Sequence, residues 1–189
     1  GPVLEAEGLQ LGVVENLQGI SWQQIEIGGR ANHAGTTPMP MRLDAGVAAA
    51  RLIGFLDDLA RRTPDAVATV GTLELDPGAI NVIPARARLT VDMRNPHEGQ
   101  LQAQETALAG VLDGLRQQGF TVQAQSIARF QPVAFDPAIL NAIETAARAR
   151  QLSWRRMTSG AGHDAQMIAR IAPSAMIFVP SRDGISHNP

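Results

Sequence analysis

The chain has 189 residues, 44% hydrophobic and 18% charged, which suffices for one or two domains with real cores. A formal net charge of −2 gives no general pull toward nucleic acid or an anionic membrane. Cysteine is absent, which excludes disulfides, thiolate zinc sites and cysteine nucleophiles together.

In chain order, Leu9 to Leu17 (LQLGVVENL) predicts a short apolar strand. From Gln23 to Ile27, Ile25 and Ile27 alternate with Gln24 and Glu26, the two-residue period of a half-exposed strand. Residues 44 to 62 switch to helical period, with Ala48, Leu52, Phe55, Leu56 and Leu59 on one face and Arg61 and Arg62 suited to the C-terminal dipole. Two strands follow at 66 to 75 and 87 to 94; in the second, Leu89, Val91 and Met93 point opposite to Thr90, Asp92 and Arg94. Asn95-Pro96-His97-Glu98 reads as a helix start with an asparagine cap, and Leu101, Leu108, Val111, Leu112 and Leu115 form its buried stripe. Gly119 stops that helix and FTVQAQSIARF makes another alternating strand. Strand, helix, strand, strand, helix, strand is the split βαβ order, two helices on one face of an antiparallel four-stranded sheet.

After Gln131-Pro132 the character changes. Asp136-Pro137 caps a helix to about Arg150, SWRRM is a strand and HDAQMIARI a short helix. AMIFV at 175 to 179 lacks alternation, as expected of a strand covered on both faces, and the strand near residue 13 has the same look. The organisation inferred is a small α+β domain, 18–132, inserted into a larger α/β domain made of 1–17 and 133–189, of which only pieces are present.

GPVLEAEG has no basic stretch leading into an apolar core, so no signal peptide is read, and no apolar run approaches the roughly 18 residues a membrane helix needs. A cytoplasmic location is the default. The chain opens at Gly1 without a methionine, so its ends need not be natural. Every basic side chain is arginine, which points to base-composition bias of the source genome.

Four histidines can carry chemistry. His33 sits in NHAGTTP, a bend enforced by Gly35 and Pro38; it is either a water-exposed turn residue or an imidazole held at a cleft edge to donate to an oxyanion. His97, near a helix start, reads as solvent-exposed. His163 lies in SGAGHDA, either a close-packed loop or a helix start whose backbone N–H groups take an anion. His187 follows the AMIFV strand, where open α/β sheets place their ligands, and is a candidate metal ligand. One histidine cannot hold a catalytic zinc, which takes about three protein ligands. Arg94 could grip a carboxylate with its planar fork, or simply pair with Asp92. The sequence has no GxSxG elbow, phosphate loop or dinucleotide fingerprint.

Read together, GPVLE, GVVENLQG, RANHAGTTPM with its following MR and Asp44, GAINVIP with LTVDMR, SGAGHDAQ and MIFVPSRDGISHNP occur in an order that resembles the M20-type metallo-amidohydrolases acting on N-carbamoyl amino acids, β-ureido acids and allantoate. The resemblance runs the length of the chain. It implies an M20-like α/β catalytic domain, partial here, carrying a ferredoxin-like βαββαβ lid through which two copies form a homodimer. It also implies two divalent metal ions (zinc, manganese, cobalt or nickel). His187 matches the final ligand, while the other four ligands and the general-base glutamate match positions upstream of Gly1, so this polypeptide alone should not complete the bimetal centre. By the same resemblance His33 stabilises the tetrahedral oxyanion in the partner subunit's site, Asn81 and Arg94 bind the substrate carboxylate, and Gly160, Gly162 and His163 line the pocket. The implied reaction is metal-assisted hydrolysis of the ureido C–N bond of N-carbamoyl-L-amino acids. The alternatives are allantoate or β-ureidopropionate hydrolysis, or a non-catalytic dimerisation module. No nucleic-acid or membrane partner is implied.

Overall fold

A computed structural model describes residues 2–184 and divides the chain into two compact units. One comprises Gly1–Gln18 with Pro132–Pro189, the other Gly19–Gln131. Among the described residues the fold is mixed α/β, with two four-stranded sheets and five α-helices.

The first unit opens with α1 (Pro2–Ala6) and β1 (Leu11–Leu17). The second then runs β2 (Gly19–Gly28), α2 (Ala45–Arg62), β3 (Val67–Asp76), β4 (Arg86–Asn95), α3 (Glu98–Gln117) and β5 (Thr121–Phe130). Its strands pair in the order β3-β4-β2-β5, all antiparallel. The period-two pattern explains which face the helices cover. Ile25 and Ile27 of β2 and Ala87, Leu89, Val91 and Met93 of β4 are fully buried against Leu52 and Leu56 of α2 and Leu101, Leu108, Leu112 and Leu115 of α3. Each Ile, Leu, Val or Met among them contributes about 1.5–3 kcal/mol on leaving water. Arg86, Arg88, Thr90, Asp92 and Arg94 alternate onto the opposite face, which no helix of this unit covers. Two bulges sit at neighbouring steps of the sheet: Gly71 is an extra residue in β3 between Val70 and Thr72, opposite Val91/Thr90, and Ile127 is extra in β5 opposite the Trp22/Gln23 step.

Asp44 starts α2 by accepting hydrogen bonds from the N–H groups of Gly46 (2.9 Å) and Val47 (3.1 Å). The start of α3 differs from the sequence expectation. Asn95 is not its cap, and the helix begins at Glu98 after His97. Asn95 is the buried last residue of β4; its amide donates to Pro64 O (3.0 Å) and its Oδ1 accepts from His97 N–H (2.9 Å), so the side chain ties the β3 entry to the turn before the helix. His97 is exposed, 3.7 Å from Asp65.

The first unit resumes with β6 (Val133–Ala134), α4 (Pro137–Ala149), β7 (Trp154–Ser159), α5 (Ala165–Ile168) and β8 (Met176–Phe178). Here β1 is central: β7 lies parallel on one side, while β8 and β6 pair antiparallel with its first and second halves on the other. Val13, Val14 and Leu17 are fully buried, as the covered look of that strand implied. Among the described residues β8 spans three residues paired with β1; Met176 and Phe178 pack on the core while Ile177 is 51% exposed in this chain. Asp136 caps α4 through Ala138 N–H and Ile139 N–H, and Glu144 is held by Arg156 from β7.

Candidate functional site

In the Gly19–Gln131 unit, the β2–β4 pairing does not end with the sheet. Gly28 faces Arg86, then Gly29 N–H donates to Ala85 O (2.7 Å), Ile83 N–H to Asn32 O (2.9 Å) and Ala34 N–H to Asn81 O (2.9 Å), with His33 bridged to Val82. A two-stranded ribbon thus carries His33 and Asn81 out beyond the sheet, side by side on exposed backbone. The root of the ribbon needs Gly29, because a Cβ there would meet Leu43 O at 2.1 Å. Leu43 O in turn accepts from Arg30 N–H (2.7 Å).

The bend around His33 is built from its own backbone. Asn32 Oδ1 accepts from His33 N–H, and His33 O accepts from both Thr37 N–H (3.2 Å) and Thr37 Oγ1 (2.7 Å). Arg42 closes the loop from the far side, its Nε donating to Thr37 O (2.9 Å) and its Nη2 to Ala34 O. The imidazole folds over the turn, and its Nδ1 accepts from Gly35 N–H (3.0 Å) and Thr36 N–H (3.2 Å). An Nδ1 that accepts two bonds carries no proton, so the neutral ring holds its hydrogen on Nε2. A Cβ at Gly35 would press the ring at 3.2 Å, which gives a reason for glycine two places after this histidine. The side chain is exposed, so Nε2–H is a fixed donor directed away from the turn.

Arg94 is held differently. It lies on the open face of β4, half-buried, and its fork grips Asp92 at two points: Nε to Oδ1 (3.0 Å) and Nη2 to Oδ2 (2.6 Å). Its partners across the sheet are Ile20 and Val67, at the end opposite Gly28 and Arg86. Eight residues of strand separate Arg94 from Arg86 (94 − 86 = 8), roughly 27 Å at the usual rise, and the ribbon carries Asn81 farther still. One chain therefore brings His33 and Asn81 together and keeps Arg94 apart from both.

In the other unit, the loop after β7 holds Gly160, Gly162 and His163, all exposed. Ser159 is fully buried and turns the chain there, its Oγ donating to Ala161 O (2.9 Å). His163 stacks at a tilt on Phe178 of β8 (5.8 Å between centroids). The helix it leads into is one turn long, and its first N–H groups are taken, Gln166 N–H by His163 O and Met167 N–H by Asp164 O. Sequence reasoning passed over two neighbours of this loop. The side-chain oxygens of Asn16 and Gln18, at the end of β1, are buried without a hydrogen-bond partner, and Gln18 Oε1 lies 3.8 Å from where a Cβ on Gly160 would stand. The signal was present: two amides, two apart, close the segment that begins with the apolar run LGVV. His187 lies outside the described residues. Among those described, no three His, Asp or Glu side chains converge to hold a metal ion, so they do not fit a bimetal centre by themselves.

The profile of peptidase family M20/M25/M40 matches residues 1–189. The chain belongs to this family. An N-carbamoyl-L-amino-acid amidohydrolase of Rhizobium meliloti is 37% identical over 190 residues, covering 100% of this chain and 46% of the relative. An allantoate amidohydrolase of Bacillus subtilis (strain 168) is 36% identical over 191 residues with the same coverage. The crystal structure of an amidase of the hydantoinase/carbamoylase family from Burkholderia multivorans superimposes with a TM-score of 0.94 at 42% identity, over 100% of this chain and 46% of that one. This M20 family chain thus spans about half the length of the relatives it matches. No helix among its described residues is long and apolar enough to cross a membrane.

Proposed function

We propose that this chain is part of an M20 amidohydrolase that cleaves the ureido C–N bond of N-carbamoyl-L-amino acids. The observation that carries the reading is the His33–Asn81 ribbon. Its backbone fixes the imidazole tautomer so that Nε2–H is a ready donor, which is what a tetrahedral oxyanion requires. The ribbon is also dressed to be covered by another surface: Ile80 at its tip is fully exposed, and Met39 and Met41 beside it are 70% and 69% exposed. By the family resemblance the ribbon serves a site in a second copy, which makes a homodimer through this lid unit part of the proposal.

The roles of the chain's own residues follow. Water adds to the ureido carbon, His33 from one copy receives the negative charge that gathers on its oxygen, and the adduct collapses by breaking the C–N bond with loss of ammonia. Arg94 of the other copy, oriented by Asp92, holds the substrate carboxylate together with Asn81, which the ribbon brings in beside His33. In the Gly160–His163 loop, Gly160 and Gly162 leave room for a ligand close to the backbone. Two divalent metal ions would supply the activated water and polarise the carbonyl. Their ligands are not assembled by the described residues, and only His187 of this chain is assigned to them, by resemblance. Allantoate and β-ureidopropionate share the ureido group and carboxylate and are the alternative substrates; the likeness to the Bacillus subtilis allantoate amidohydrolase favours the first of these.

The test is His33→Ala in the complete, metal-loaded enzyme assayed with N-carbamoyl-L-amino acids. Losing one oxyanion donor costs roughly 10²–10³ in kcat, with metal content unchanged. A rate within a few-fold of the parent removes His33 from the chemistry.

A further inference from the structure

The open face of the Gly19–Gln131 sheet carries a recess of about 270 Å³ lined by Trp22, Thr69, Gly71, Thr90, Val91, Asp92 and Ile127. Two bulges border it. Gly71 interrupts β3 at the Val91/Thr90 step of β4, Ile127 interrupts β5 at the neighbouring Trp22/Gln23 step of β2, and both extra residues line the recess. Trp22, directly opposite Asp92, and Ile127 stand along its wall, 40% and 53% exposed.

Two of the polar side chains in the lining are already engaged. Asp92 gives both oxygens to Arg94. Thr90 Oγ1 bonds Thr72 Oγ1 (3.0 Å) and accepts from Thr72 N–H (3.1 Å). The surface left for a guest is mainly the indole, the Ile127 side chain and the bare backbone of Gly71, with the Thr69 hydroxyl and the indole N–H as its polar points. Such a wall gains by covering an apolar group and offers little to a polar one. At about 270 Å³ the space is below the range of drug-sized pockets and suits a side chain-sized group. It also begins one residue pair along the strand from Arg94, the proposed carboxylate anchor.

We infer that the Trp22–Ile127 recess receives the side chain of the substrate, and that it selects N-carbamoyl acids with a bulky apolar substituent such as leucine over unsubstituted ones. This inference rests on the assignment of Arg94 to the substrate carboxylate.

The experiment compares kcat/KM for N-carbamoyl-L-leucine and N-carbamoylglycine in the complete metal-loaded enzyme and in its Trp22→Ala and Trp22→Phe variants. The leucine-to-glycine ratio should fall about 10- to 200-fold in Trp22→Ala, the range for opening a hydrophobic pocket, and by a smaller factor in Trp22→Phe. An unchanged ratio overturns the inference, as does loss of a dimer in sedimentation without a change in ratio, which would make the recess a subunit contact. Trp22 also reports directly. The part of the ligand-induced emission change that is lost in Trp22→Phe reports the recess, and N-carbamoyl-L-leucine should produce it at lower concentration than N-carbamoylglycine. If the parent enzyme hydrolyses neither compound, the ureidohydrolase reading fails. The emission titration still decides the recess, because equal responses to the two acids overturn it.

Discussion

The separation of Arg94 from His33 within one chain makes a prediction about mixed dimers. Arg94 lies roughly 27 Å from the start of β4, and the ribbon bearing His33 and Asn81 leaves the sheet in the opposite direction. A carbamoyl amino acid spans about two peptide units, roughly 7 Å from carboxylate to ureido nitrogen. No single substrate touches both residues of one chain, so if both serve one substrate, as proposed, Arg94 comes from one copy and His33 from the other. Consider a His33→Ala chain paired with an Arg94→Gln chain. One site of the dimer receives both lesions and the other receives neither. Random assembly of equal amounts gives one half mixed dimers, each with one intact site of two, so the mixture should recover about a quarter of the parent rate. Each variant alone should sit on the order of a hundredfold below the parent for the His33 change, and far below at low substrate for the Arg94 change. The assay is co-expression with two different affinity tags, sequential purification of the doubly tagged dimer and measurement of ureido hydrolysis. A doubly tagged dimer no more active than the two variants alone would refute the shared site, since a site built within one chain is damaged in every copy.

Two other perturbations follow from the described contacts. Gln104 sits among the α3 core leucines with neither side-chain atom hydrogen-bonded, so Gln104→Leu should stabilise the fold by about 1–3 kcal/mol, read as a higher urea midpoint at unchanged m; a lower midpoint would count against the cost assigned to those atoms. Arg42 clamps the His33 bend through Ala34 O and Thr37 O, and an ammonium cannot make both bonds in one plane. Arg42→Lys should lower kcat about tenfold with KM little changed, and added guanidinium should partly rescue Arg42→Ala; an unchanged kcat would show that the bend holds itself.

What the sequence made legible divides along physical lines. Period-two and helical patterns report burial on one element, so the faces of β2, β4, α2 and α3 could be read from Ile25, Leu89, Leu52 and Leu108 alone. Where a side chain serves a distant partner the pattern misleads. Asn95 looked like a helix cap because its use by Pro64 O lies 31 residues away. The bulges that border the Trp22 recess are properties of register, which no single strand records.

The same reasoning explains why His33 and Asn81 meet although 48 positions apart (81 − 33 = 48), while Asn81 and Arg94, only 13 apart (94 − 81 = 13), do not. Proximity in sequence brings residues together only where the chain turns. From Asn81 the backbone runs along the ribbon and then straight through β4, and an extended chain moves away at about 3.3–3.6 Å per residue. No turn lies between Arg86 and Arg94 to bring it back. If one carboxylate-bearing guest is to be held by Arg94 and met by the ribbon's imidazole, the second element must come from another copy. The dimer is then a requirement of the strand's own direction.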